Sequence, residues 1–200
     1  MLAAAVSFYS IVLFLHVTGA VLVFAGIGIL IFGTVALRGA KSVEHVRALA
    51  RPLVAGRRVG FEHISVIDVV TVAGILIVAA SGLYLGLAVW GWQSGWVKVA
   101  IVSFALMAPI GPAIINPRLL AIASSAEQLP NGPVEQSLRR LIVDPMLGIP
   151  LQALAFWLLG LVFLMTNKPA FGESVGVMCA ALLVGVASGV PVWLRKQPVG

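Results

Sequence analysis

His16, Lys98, Asp68 and Arg118 carry the polar chemistry found inside or at the edges of the long apolar runs of this sequence. An ionisable group in hydrocarbon costs on the order of 3 kcal/mol or more, so each needs a partner or a task. His16 stands in Phe14-Leu15-His16-Val17-Thr18-Gly19-Ala20. A neutral imidazole there can bind haem iron, bond a quinone, or bond a backbone carbonyl in a purely structural role. Lys98 follows Trp96 at the start of another apolar run. It either snorkels to the interface beside that tryptophan or turns inward, desolvated, to face His16. A haem at this place would use His16 alone, or His16 with Lys98 or a non-histidine ligand. Asp68 lies near the other end of its run, level with Asn116 and Arg118. An Asp68–Arg118 ion pair is the economical arrangement, and a proton-path entrance at Asp68 is the alternative.

The remaining candidates are weaker. His63, beside Glu62, and His45 fall in a basic stretch and read as solvated. His63 cannot share a metal with His16, because a hydrocarbon core about 30 Å thick separates them. Cys179 is the single cysteine, which excludes an intramolecular disulfide or a cysteine-built metal site. No phosphate loop, dinucleotide fingerprint, H-E-x-x-H zinc motif or nucleophilic triad pattern occurs.

The elements that must position these residues are membrane spans. Of the 200 residues, 60% are hydrophobic and 10% charged, too little polarity to coat a soluble core. Apolar runs over 6–37, 64–90, 96–116, 146–166 and 175–194 meet or approach the roughly 20 residues a spanning helix needs. The expected fold is all-α, a polytopic transmembrane bundle of about five spans in one domain. Residues 1–10 contain no Lys or Arg, so the first run reads as a retained span, not a secretory signal. All of the 13 basic residues except Lys98 and Lys168 fall in 38–63, 117–145 or the tail. Basic loops stay in the cytoplasm, which orients the chain N-out and C-in. The net charge of +6 then reflects lipid headgroups, with no need for nucleic acid.

Several finer features follow. Val46, Leu49 and Leu53 recur at helical spacing, as in a short surface helix. Pro130-Asn131-Gly132-Pro133 breaks the 117–145 loop with a turn. Trp90, Trp92 and Trp96 form an interfacial aromatic belt, favoured over an aromatic ligand site. Pro109 and Pro112 kink the third span, either opening a cavity or simply fitting the bundle. Gly19, Gly26 and Gly33 form one seam. Thr71, Ala79, Gly82 and Gly86 share a face with Asp68, and Ala181, Gly185 and Gly189 form another seam. Such seams serve internal packing first and homodimerisation second.

The stretch Phe14–Ala20 resembles the first span of a group of small bacterial membrane proteins: DUF2269 integral membrane proteins, copper-resistance CopD-like domains and HemJ-type protoporphyrinogen oxidases. Gly95-Trp96-Val97-Lys98-Val99 is similar to the W-x-K stretch of the HemJ and CopD-like proteins. Asn116-Pro117-Arg118-Leu119 fits the DUF2269 pattern best. The matching pieces are short and cover roughly the first 120 residues. The HemJ resemblance implies haem or porphyrin contact at His16 and an essential Lys98. Against it, Phe24-Ala25-Gly26-Ile27-Gly28 replaces the aromatic, Pro- and Arg-bearing stretch of that group, and there is one span more. Scattered Met and His residues give the copper role little support.

Three functions stand on this reading. One is a redox-associated protein of the bacterial inner membrane holding b-type haem or a quinone near the outer leaflet, at His16 and Lys98. Another is a non-catalytic subunit or scaffold of a larger membrane complex, associating through the glycine seams and binding no cofactor. The third is a transporter or proton-path protein built on Asp68, a reading lowered by the lack of an inverted repeat.

Overall fold

The computed structural model describes residues 7–54 and 66–194, with side chains over 7–54 and 69–190. The described elements are helices: α1 (Phe8–Gly39), α2 (Val43–Val54), α3 (Val66–Tyr84), α4 (Gly95–Met107), α5 (Asn116–Gln128), α6 (Gln136–Ile142), α7 (Pro145–Asn167) and α8 (Phe171–Leu194). Two π-helical segments complete them, Leu85–Trp90 after α3 and Gly111–Ile115 between α4 and α5. No strand occurs among the described residues.

Five helical stretches are long and apolar enough to cross a membrane: Phe8–Gly39, Val69–Trp90, Gly95–Gln128, Gln136–Asn167 and Phe171–Val190. The fold is thus an all-α bundle whose apolar exteriors suit a lipid bilayer. The 32 residues of α1 run about 48 Å, well past a core of about 30 Å, so the helix projects beyond it. Ser7 starts α1 by accepting a hydrogen bond from the Ser10 amide at 3.2 Å.

Small residues set the packing, because apolar side chains gain nothing over lipid by touching one another and close backbone approach must supply the attraction. α1 lies along α3, and α7 along α8, with α1 also meeting α7 and α4 meeting α7 and α8. At the α1–α3 crossing, a Cβ on Gly19 would stand 3.0 Å from the Gly74 carbonyl, and one on Gly74 would stand 3.0 Å from the Gly19 carbonyl. Gly26 is covered by Thr71, and Gly33 by Leu53 of α2. On α8, Gly185 packs against the backbone of Ala153, Gly189 against Ile149, and Ala181 against Gly160. The seams expected from sequence are therefore filled from within the chain.

The two basic segments are more structured than loops. α2, α5 and α6 form a cap at one end of the bundle, joined by an isolated antiparallel bridge between Ser42 and Pro133. Val43 donates to the Gly132 carbonyl at 2.8 Å. Leu37, Val43, Val46, Ile122, Leu138, Ile142 and Leu147 are at most 1% exposed, so the cap has a dry core continuous with the spans. The α2 stripe expected to lie on the membrane instead packs on α5, with Val46 and Leu53 buried and Leu49 partly buried against the core. The same apolar spacing serves a partner helix as well as a bilayer.

The cap's charges are also committed internally. Arg47 donates to the carbonyls of Ala126 at 2.9 Å and Leu129 at 3.0 Å and to Asn131 Oδ1 at 3.1 Å, closing the C-terminus of α5. Arg139 donates to the carbonyls of Arg38 and Ala40, each at 2.9 Å, closing the end of α1. These two cations neutralise helix C-terminal dipoles and are not free for headgroups. Lys41, Arg51 and Arg140 do remain exposed.

Two variants test this packing. Gly185→Leu should destabilise the detergent-solubilised protein by about 1–3 kcal/mol or more, since the new Cβ alone would lie 2.7 Å from Ala153 Cα. Gly28→Leu, which points into open space, should leave its thermal unfolding midpoint nearly unchanged. Arg47→Ala strands the last carbonyls of α5 and should cost about 2 kcal/mol, read as faster limited proteolysis within 129–135.

Candidate ligand cavity

The cap marks one end of the bundle, and the two short joints mark the other. There the start of α4 meets the start of α8, with Gly95 directly against the Phe171 backbone. Between this end and the bundle's middle lies a cavity of about 430 Å³, walled by α1, α3, the first π segment, α4 and α7. Ligand pockets run from about 300 to 1,000 Å³, so the space suits a small molecule. Its wall is predominantly apolar, from Leu13, Val78, Ile101, Phe104, Leu158 and Leu161 among others. Leu83, Ala105 and Val162 on its margin are exposed on the bundle's outer surface, so the cavity communicates sideways with the lipid-facing exterior.

His16 is the polar group deep in this wall, 8% exposed. Its place follows from the α1–α3 crossing one turn away. Gly82 leaves the room it needs: a Cβ there would come within 2.9 Å of His16 Cε1. The Ser81 hydroxyl donates its one hydrogen to the Ile77 carbonyl, a turn back along α3. The Ser81 oxygen therefore accepts from the His16 Nδ1–H, at 3.1 Å. In this arrangement Nδ1 carries a proton. His16 lines the cavity, and besides Ser81 the Val78 backbone lies within hydrogen-bonding reach of its ring.

The mouth is aromatic and cationic. Trp90 and Trp96 both line it, edge to face with ring centroids 5.6 Å apart. Lys168 ends α7 in the left-handed conformation (φ 51°, ψ 51°), its amide bonded to the Leu164 carbonyl. Its ammonium lies 3.8 Å from the Trp90 ring centroid, a cation–π contact. Lys168 is the charged residue of the cavity wall among the described residues.

The sequence-based site is thus redrawn. His16 is in the wall, as expected of a helix face shared with Gly19 and Ala20. Lys98 is not: it is partly buried, its ammonium 5.9 Å from the Trp92 centroid, and it does not border the cavity with His16. Val97 and Ala100 take the cavity face of α4, so the helical phase carries Lys98 away. Lys168 supplies the cation instead. Two of the three belt tryptophans line the cavity, a role that sequence reasoning had set below simple anchoring. The proline break in the third span produces the second π segment but does not border the cavity; the first π segment, unheralded by any proline, does.

At the cap end, Arg118 Nε donates to Asp144 Oδ2 at 3.0 Å, and its Nη1 to the Ile114 carbonyl at 2.8 Å. Asp144 also caps α7 through the Met146 amide at 2.9 Å. The partner assigned to Arg118 from sequence was Asp68, whose side chain lies outside the described residues, as do Glu62 and His63. Asn116 opens α5, its amide bonded to the Gly111 carbonyl. Arg118, Asn116 and Asp144 do not border the cavity. No group of three or more His, Cys, Asp or Glu is arranged to hold a metal ion among the described residues.

No family model, curated protein or solved structure matches the chain.

The tautomer is directly observable. Nitrogen NMR of histidine-labelled protein should show His16 neutral and protonated at Nδ1 near neutral pH. Ser81→Ala should shift that signal toward the Nε2–H form. An unchanged spectrum in the variant would remove Ser81 as the group that sets it.

Proposed function

We propose that this chain is a redox-associated protein of the bacterial cytoplasmic membrane that holds b-type haem or a quinone in the cavity at His16. The observation that carries the reading is a buried imidazole in the wall of an apolar cavity, its Nδ1 held by Ser81, which leaves Nε2 as the nitrogen with a lone pair. A histidine that ligates a metal is normally held in this way, by a hydrogen bond from its other nitrogen. The same lone pair accepts an O–H from a reduced quinone. Haem or quinone would supply electron transfer when bound. The chain's own residues orient the imidazole, exclude water from it and admit a flat apolar ligand from the side. The family resemblance at Phe14–Ala20 likewise implies cofactor contact at His16. Lys98 drops out of the cofactor set on this reading. The charge distribution supports placing the cap in the cytoplasm, with the C-terminus, and the tryptophan end and N-terminus outside. The cavity then belongs to the outer half of the bilayer.

Protein purified from its native membranes in mild detergent should show a Soret band or contain stoichiometric extractable quinone. His16→Ala should lose it, while Lys98→Met keeps it. Absence of both cofactors would sink the reading. A stoichiometric protein partner in that same cofactor-free preparation would point to a scaffold instead.

A further inference from the structure

The ammonium at the cavity mouth carries information about the ligand that His16 does not. A lysine placed only to anchor a span reaches into headgroups and water. Lys168 lies over Trp90 and contributes to the cavity wall. It has no hydrogen-bond acceptor and no carboxylate within ion-pair distance among the described residues. Glu173, the nearby acid in sequence, is already occupied in accepting the Ala170 amide at 3.1 Å at the head of α8. An ammonium on an indole face keeps N–H donors directed away from the ring. The position is also held at a cost: a left-handed backbone is worth about 1–2 kcal/mol against a non-glycine residue, and glycine is the usual occupant of this helix-ending site.

We propose that the cavity takes an amphipathic ligand bearing one negative charge, a carboxylate or a phosphodiester, which Lys168 binds at the mouth while the apolar body lies along Leu161, Phe104 and Trp96. The site combines a single fixed cation, an apolar bed and a lateral opening, and these are the requirements of a singly charged lipid-like acid. Lys168 is exposed at the mouth, so with a neutral ligand its ammonium would simply stay solvated and add no affinity, and a dianion would meet one charge only. The inference goes beyond the reading above and shares only its cavity, since a quinone carries no charge and a haem carries two carboxylates. It does not depend on what meets Nε2.

The test uses the full chain in non-ionic detergent, with a conjugated-polyene fatty acid and its methyl ester as probes. Energy transfer from tryptophan to the polyene reports occupancy. The acid should bind about tenfold more tightly than the ester, the discrimination expected of one charge-assisted hydrogen bond. Lys168→Gln should abolish that preference and leave ester binding unchanged. Lys168→Arg should keep it, which guards against a folding defect in the glutamine variant. Lys98→Met should behave as the parent. Competition by phosphatidylglycerol but not phosphatidylcholine would identify a phosphodiester as the native head; failure of both to compete would identify a free acid. Equal affinity for acid and ester, a preference that survives in Lys168→Gln, or no binding of either probe would each overturn the proposal. If the preference for the acid holds while neither haem nor quinone is found, the redox reading fails and the assignment of Lys168 stands.

Discussion

The close crossing of α1 and α3 governs where the buried histidine of the cavity can lie. Carbonyls of Gly19 and Gly74 lie where a Cβ on the opposite glycine would approach to 3.0 Å, leaving no space for side chains between the helices. In lipid, such an approach is favourable because it multiplies dispersion contacts that lipid tails cannot match. It also locks the rotational phase of α1 on α3. With Gly19 fixed against Gly74, Ile77 and Val78, His16 projects one turn beyond Val78 on α3, where it finds Gly82 as space and Ser81 as acceptor. A bulkier residue at either glycine would separate the helices, and the imidazole would lose its bond before anything near the cavity had been changed.

The opposite end of the bundle solves a different problem with the same economy. Helix C-termini leave carbonyls without partners, and three helical stretches end or turn close together in the cap. Guanidinium groups suit this role because one planar fork reaches several carbonyls at once. Arg47 and Arg139 use that geometry at the ends of α5 and α1. Arg118 uses it to tie the π-helical turn at Ile114 to Asp144, and through Asp144 to the first turn of α7. The positive charge of the basic segments is thus also part of the protein's internal hydrogen bonding. A guanidinium bound to neutral carbonyls keeps its full charge.

Span number and the alternation of basic segments were legible in the sequence because they depend on composition, summed over many residues. The glycine seams were legible because spacing alone places residues on one face. The site was legible only in part. His16 could be placed in the wall from the phase of its own helix. Lys98 and Lys168 could not be ranked, since both stand at span ends beside tryptophans. What separates them is the phase of α4, which turns Val97 inward, and a left-handed residue that ends α7. The π segment over Leu85–Trp90 is a backbone choice with no proline to announce it, and it presents Trp90 to the mouth. Ser81 escaped notice because a serine in a span ordinarily returns its hydrogen bond to its own helix. It does so here, and its lone pair is what makes it useful.

A hydroxyl that has already given its hydrogen to a carbonyl can only accept, so the imidazole beside it must donate. The second ring nitrogen is then left as a base in a space with little else to bond it. In an apolar surrounding an unanswered polar atom costs on the order of 1–3 kcal/mol, a cost removed by any group that brings a proton or a metal to Nε2. Lys168 adds an exposed cation at the mouth, with no protein acceptor among the described residues. His16 and Lys168 border one apolar chamber, one buried in the bundle and one at its edge. A ligand that answers both must carry an acceptor of negative charge at its surface end and a proton donor or Lewis acid further in. Selection by this cavity therefore rests on where a molecule's polar atoms fall along its length, and the apolar wall between them sets how far apart those atoms must be.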